Sequence, residues 1–402
     1  METARPQWPL ATLSTRDHRV ANFRHAASAS LWLSSPVSQP TAPVSLADLS
    51  ADYAAELAAW RVAVRAVARH LYREHLRDDV TRAPAAASGL FAERLLDYLH
   101  DHGDLVVRDG RAVATFDDGP IDAREAVAAY LAGSERRAGI GWFLAGLVEV
   151  AGDVLRGRDL LRLLYVRSPR EVSARWEHAM LHAPILAPCR AFAARSVAAA
   201  LTKPTVVLEG GAGVGVVLRT LLADPALAPR AAHLAAWHFT ELDPSILARG
   251  RDAIACEAPP SVVAAMQYRR LDLDALPADP SAAGLAPGSV DLVVLEHVLY
   301  DVADLHGTLT ALRGLLAPGG ALVFTGALRG RPRDFFPCEA LQLTLRSYQR
   351  ARLDPPYRVQ AGYLSRDEWS RSLTRAGFAM AVAAPGADDA AAPHGGIIAW
   401  PT

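Results

Sequence analysis

The chain has 402 residues, 51% of them hydrophobic and 21% charged, with 42 Lys and Arg against 43 Asp and Glu for a formal net charge of −1. That length leads us to expect two domains, each large enough to bury a core, and the near-neutral balance leaves no electrostatic footprint for nucleic acid or an anionic membrane. Cys189, Cys256 and Cys338 are odd in number and widely spaced; they make neither a disulfide framework nor a zinc ligand set, and the expected setting is a reducing cytoplasm.

Met1 to Leu10 carries Glu2 and Pro6 where a signal peptide needs a basic start and a long apolar stretch. Residues 1–48, rich in Pro, Ser and Thr without a sustained period, read as an N-terminal arm. Leu57, Trp60, Val64, Val67 and Leu71 recur at helical spacing within Tyr53–Asp79, and Leu90–His100 gives a second helix after a Pro/Ala/Ser break. Asp104 to Thr115 alternates around Asp109-Gly110, a hairpin signal. Helix followed by hairpin resembles a small winged-helix unit. Without a basic run it reads as a packing or dimerisation module, with a homodimer as the candidate assembly. Ile140–Leu155 is the most apolar run but contains Glu149 and Asp153, so we expect a buried helix rather than a membrane span. Further helices are expected at Ala151–Leu164 and Val172–Leu186, closing a helical lobe over 49–201. His178 and His182 stand four apart on the second of these, a spacing that suits a metal. No third ligand lies near them, so no metal is expected. They stand instead as candidates to line an acceptor pocket, although a solvated face is the commonest outcome for such a pair.

From 202 to 402 short β-rich runs alternate with helical segments. Val206–Leu208, Ala235–Thr240, Ala265–Arg270, Val290–Leu295 and Ala321–Thr325 predict a parallel, doubly wound α/β sheet. Phe378–Ala383 and Gly396–Trp400 add an antiparallel pair at its edge. In such sheets ligands bind beyond the carboxyl ends of the strands. Glu209 ends the first strand, and Gly210, Gly211, Gly213 and Gly215 follow it, letting a ligand lie against the backbone. The position three after Gly213 is Val216, not the glycine of a dinucleotide-binding turn, and Glu209 favours a cationic or hydroxyl-bearing ligand over a phosphate. The amino acid head of the sulfonium cofactor S-adenosylmethionine (SAM) suits this turn. After the second strand Glu241, followed by Leu242, is placed to accept both ribose hydroxyls. After the third, Asp272, followed by Leu273, is placed to accept from an adenine amino group. After the fourth, Glu296-His297-Val-Leu-Tyr300 forms the rim facing the reacting methyl. Each piece alone also reads as a turn or helix cap; their order carries the argument.

Phe239-Thr-Glu-Leu-Asp-Pro-Ser245, Gly288 to Tyr300, Leu315-Leu-Ala-Pro-Gly-Gly320, Val154 to Leu164 and Tyr363 to Phe378 together resemble the class I SAM-dependent methyltransferases, in particular the methyltransferase domain of polyketide and nonribosomal peptide synthases. The likeness runs from about residue 90 to the C-terminus. It implies a Rossmann-like seven-stranded sheet, a helical lobe, SAM as cofactor, and methyl transfer to O, N or C of a small-molecule or carrier-protein-bound acceptor in specialised metabolism, either in trans or on a released product. In carbon-methylating members a histidine after the fourth strand pairs with a glutamate after the fifth. By the resemblance that histidine falls on Tyr300, and Phe324 to Arg329 holds no glutamate, so the dyad is absent from its usual positions.

Methyl transfer from a sulfonium mainly needs a nucleophile held in line, and a base adds rate. His297 and Tyr300 are the candidates for base or orienter. Phe335, Phe336 and Tyr348, between the fifth strand and the last helix, are candidate pocket residues, with plain packing as the equal alternative. The rival readings are a SAM-fold scaffold or non-methylating catalyst, and a SAM-responsive DNA-binding regulator.

Overall fold

The computed structural model describes residues 50–77, 89–108, 111–116, 122–330, 332–383 and 394–402. The arm expected over 1–48 and the turn at Asp109-Gly110 lie outside them.

The N-terminal lobe starts with α1 (Ser50–Leu71), which runs on through a π turn at Tyr72–Leu76, followed by α2 (Gly89–Asp101). β1 (Leu105–Arg108) and β2 (Arg111–Ala114) then pair antiparallel, Leu105 opposite Ala114. Buried Asp104 opens this hairpin and takes Arg65 and Arg69 from α1, which ties the unit to the lobe. α3 (Ala123–Ala132) is capped by Asp122, whose carboxylate accepts from the Arg124 and Glu125 amides. α4 (Ala138–Leu155), α5 (Leu160–Arg167) and α6 (Pro169–His182) follow. The helix expected over Ala151–Leu164 is therefore two. Gly157 at φ +83° turns the chain after α4, and the Asp159 side chain caps α5 by accepting from the Arg162 amide. The helical stretch Glu135–Leu155 is long and apolar enough to cross a membrane, but 67% of its most apolar 18-residue window is buried inside the fold, where α4 packs on α3, α5 and α6.

α7 (Ala187–Ala200) leads into a seven-stranded sheet formed by β3 (Thr205–Gly210), β4 (Leu234–Glu241), β5 (Met266–Arg270), β6 (Val290–Glu296), β7 (Leu316–Ala327), β8 (Phe378–Ala383) and β9 (His394–Pro401). The order is β5-β4-β3-β6-β7-β9-β8, parallel through β7, with β9 antiparallel to both neighbours. α8 (Val216–Ala223), α9 (Pro244–Glu257), α10 (Pro260–Ala265) and α11 (Leu305–Leu315) supply the crossovers; α12 (Pro332–Glu339), α13 (Arg346–Gln349) and α14 (Arg366–Arg375) lie between β7 and β8. The expected Pro-Gly-Gly turn sits inside β7. Leu316 pairs with Val290, residues 317–320 bulge out with Gly319 at φ +79°, and pairing resumes with Ala321 opposite Leu292.

Alternate residues of the parallel strands divide between two cores. Val207, Trp237, Phe239, Leu292, Val294 and Val323 pack with side chains of α7 and α8 on one face. Leu208, Val293, Leu295, Leu322 and Phe324 belong to the other, and that cluster continues without a break through Trp369 and Tyr300 into Trp60, Phe143 and Tyr53 of the lobe. The lobe thus shares a core with the sheet instead of enclosing its own. α7, expected in the lobe, packs on β6, β7 and β9, so the sheet layer begins near residue 187 rather than at 202. Glu177 of α6 fastens the two parts from the side, accepting from Arg219 of α8 and Arg249 of α9.

Candidate active site

The glycine turn follows directly from the sheet. Gly211, Gly213 and Gly215 have φ of +62°, +58° and +82°, a region that side-chain-bearing residues enter only with strain. A Cβ on Gly211 would lie 2.5 Å from a Val298 methyl, and one on Gly210 would lie 2.6 Å from Leu295, so the turn is pressed against the tip of β6. The space beside Gly213 is open: a Cβ there would meet nothing nearer than 4.0 Å. Gly250 of α9, which carried no signal in the sequence, lets that helix approach, since its Cβ would stand 2.7 Å from the Gly213 carbonyl oxygen.

Glu241 reaches this turn. Its Oε2 accepts from the Gly213 amide at 3.0 Å and its Oε1 from the Leu242 and Asp243 amides at 2.7 and 3.1 Å. Leu242 beside it is 44% exposed, an uncovered apolar surface. Asp272 is half-buried and accepts from the Asp274 amide at 3.0 Å, while Leu273 lies near the Cβ position of Gly210. An open glycine turn, a carboxylate across it, an uncovered leucine and a second carboxylate at the next strand tip fit a nucleoside with an amino acid head. Glu209 corrects the sequence reading. Its carboxylate turns beneath the turn, is buried, and accepts from Trp237 Nε1 at 2.8 Å. Burial pushes its pKa up to about 8.

At the tip of β6 the chain does something unusual. Among the described residues His297 is the one non-glycine residue with positive φ, +56°. That kink breaks the strand alternation and brings two successive side chains together: Glu296 Oε1 lies 3.9 Å from His297 Nε2. Both atoms are buried and neither has a hydrogen-bond partner. Burial raises the Glu296 pKa to about 7, opposed by the Arg190 guanidinium, and lowers that of His297 to about 4. On its other side His297 Nδ1 faces the hydroxyls of Tyr300 and Tyr363, each at 3.4 Å. The Tyr300 and Tyr363 rings are 4.1 Å apart, and Tyr348 packs against both and donates to buried Glu339. Arg358 donates to the Tyr300 and Val302 carbonyls, fixing the turn that carries the tyrosine. Tyr348 is thus support for Tyr300 and Tyr363.

Three further candidate positions take the alternatives weighed for them, packing or a surface face, and not the pocket. His178 Nδ1 accepts from the Gly139 amide at 3.2 Å, close to the start of α4, and His182 is exposed; α6 turns Trp176, Ala179 and Met180, not the histidines, toward the apolar cleft of the lobe. Phe336 stacks on Tyr98 of α2 with centroids 4.9 Å apart, a packing role. The Phe335 side chain lies outside the described residues. Tyr363, His394 and Tyr53 were missed. The His394 ring lies 6.3 Å from that of His297, and its Nδ1 is 2.9 Å from the Tyr53 hydroxyl.

Residues 185–382 match a family model described as a methyltransferase domain. Over 178 residues, 43% of this chain, the sequence is 28% identical to the highly reducing polyketide synthase otaA of Aspergillus carbonarius, and the match spans 6% of that synthase. The fold is similar to that of the DszA carbon methyltransferase (18% identity, TM-score 0.68, 85% of this chain and 89% of that one). It is also similar to the trans-methyltransferase CalH in complex with SAH (16% identity, TM-score 0.60, 88% and 92%).

Proposed function

We propose that this chain, whose residues 185–382 match a methyltransferase domain model, is a SAM-dependent methyltransferase that methylates a polyketide-type acceptor in the cytoplasm at an oxygen or activated carbon bearing an acidic proton, with Glu296 and His297 as its base. The cofactor supplies an electrophilic methyl group; the chain must seat it and ready the nucleophile. Glu241, Asp272 and the open backbone at Gly213 are the residues that would hold the nucleoside and its amino acid head.

The observation that carries the reading is the pair of unpartnered atoms, Glu296 Oε1 and His297 Nε2, made neighbours by the left-handed backbone of His297. The family's carboxylate–imidazole dyad draws on two strands; here one strand tip furnishes both groups. Near neutrality His297 is uncharged and can take the acceptor proton on Nε2, and an ionised Glu296 stabilises the imidazolium so formed. Tyrosine hydroxyls both donate and accept, so Tyr300 and Tyr363 support Nδ1 in either protonation state. Two such groups titrate as a unit.

The test is S-adenosylhomocysteine release with a panel of phenols and β-ketoacyl thioesters, offered free and as carrier mimics, with the methylated atom located by NMR. H297N keeps a residue that tolerates the left-handed region and removes the base. We expect it to fold and to lose about 100-fold in kcat. Full turnover by H297N, or methylation confined to amines, overturns this assignment.

A further inference from the structure

Resting on that reading of the site, we propose that the acceptor is an apolar, aromatic or polyunsaturated molecule whose reacting end carries a hydrogen-bond-accepting oxygen, and that His394 holds this oxygen in the cleft between α1, α4, α6 and α12. The cavity within the cleft measures about 50 Å³, below the range of open small-molecule sites, so a guest has to spread its walls to enter. Its walls include Trp60, Phe143, Trp176, Met180 and Leu341, and aromatic walls favour flat apolar guests. Polar groups are few. Trp60 Nε1 is spent on the Pro337 carbonyl, and burial pushes the Cys338 thiol up to about 12, leaving it un-ionised. Apart from Gln342 and the Trp176 indole, the polar side chain that the described residues bring to this surface is His394.

His394 is fixed in one tautomer by its neighbour. The Tyr53 hydroxyl lies 2.9 Å from His394 Nδ1, and its oxygen also takes a hydrogen bond from the His394 backbone amide. A buried phenol whose oxygen already accepts gives its own proton to the ring nitrogen, because otherwise that proton would be stranded. Nδ1 is therefore the acceptor and Nε2 carries the hydrogen. Burial keeps the ring neutral, lowering its pKa to about 3. β9 delivers this donor beside the base: His394 pairs with Ala327 and Gly396 with Thr325, whose other neighbour is Glu296. An N–H aimed at an acceptor carbonyl or phenol oxygen fixes the reacting end near His297, and it steadies negative charge that develops on that oxygen as the proton leaves.

The experiment needs neither cofactor nor turnover, so it fails or succeeds independently of methyl transfer. The full chain is titrated with 2-naphthol and with naphthalene, following the fluorescence of Trp60 and Trp176, which line the cleft. The wild type should bind 2-naphthol about tenfold more tightly than naphthalene. H394F should abolish that preference while still binding naphthalene, H394Q should restore part of it through its amide, and Y53F, which frees the tautomer, should reduce it about threefold. Should H394F fail to fold by circular dichroism, Y53F carries the test. A wild type that binds neither compound or does not discriminate, an H394F that still discriminates, or a folded Y53F with an unchanged ratio overturns the proposal.

Discussion

His297 holds a backbone conformation that costs a non-glycine residue about 1–2 kcal/mol, at the strand tip that carries the proposed base. Strain retained at a strand tip beside the glycine turn motivates the proposal of a functional site there. Since Glu296 titrates near 7 and its ionised form supports the base, activity should climb as pH rises through about 7. A pH profile of kcat/KM will show this limb in the wild type, and E296Q should lack it and lose about 100-fold at pH 8. On the cofactor side, E241A removes the acceptor for three backbone amides as well as the proposed ribose contact. Calorimetric titration should show SAM affinity lowered at least about tenfold, a change of about 1.4 kcal/mol. Glu241, Asp272 and the glycines were legible in the sequence because each follows its own strand at short range. Glu209 was misread for the same reason: spacing finds a strand-end carboxylate but cannot say whether an indole from the next strand will claim it. His394 and Tyr53, 341 positions apart, meet only through tertiary packing, and no local pattern announces them.

β9 is the element on which the acceptor side turns. It opens on His394 and then runs Gly395-Gly396, and a Cβ on Gly396 would sit 1.9 Å from the Phe192 ring of α7. The glycine therefore lets α7 press against the strand that carries His394, while the Cys189 thiol of the same helix bonds the Gly326 and Gly395 carbonyls. G396V should cost about 1–3 kcal/mol in urea unfolding through overpacking. The loss in kcat should exceed what that destabilisation alone produces, because the strand's tip is displaced along with its histidine. The strands themselves were found within about two residues of their ends, apart from β7, whose paired span includes the Pro-Gly-Gly bulge. Helix ends in the lobe fared worse. Ala151 to Leu164 keeps an apolar period across Gly157, and only the αL turn with its Asp159 cap divides it. Likewise four-residue spacing put His178 and His182 on one face of α6 without saying that Trp176 and Met180 hold the opposite, inward face.

For the whole molecule, buried carboxyls set how stability responds to pH. Burial raises the pKa of Glu209 to about 8 and of Glu296 to about 7, and it raises Asp301 and Glu339 as well. The native chain then holds protons that the unfolded chain has already released, so their contribution is full below the ordinary carboxyl range and declines as pH rises through the native values. His297 and His394, depressed by burial, act in the opposite sense, but that gain is complete by about pH 6.5. Scanning calorimetry should therefore show Tm falling by at least about 2 °C between pH 6.5 and 8.5, and E209Q should flatten the slope. The doubly wound α/β architecture was readable from alternating strand and helix patterns. The shared core was not, because an apolar stripe on a lobe helix looks the same whether it faces its own lobe or a sheet.

The side-chain bridge from Glu177 to Arg219 and Arg249 gives this union an uneven character. Along the shared core the two parts are joined by oil-like contact, which electrolyte barely touches. Along the outer seam they are joined by charge, which mobile ions screen within about 10 Å at 0.1 M. The molecule is thus welded at its centre and latched at its rim, and of the two attachments only the latch answers to the salt of its surroundings.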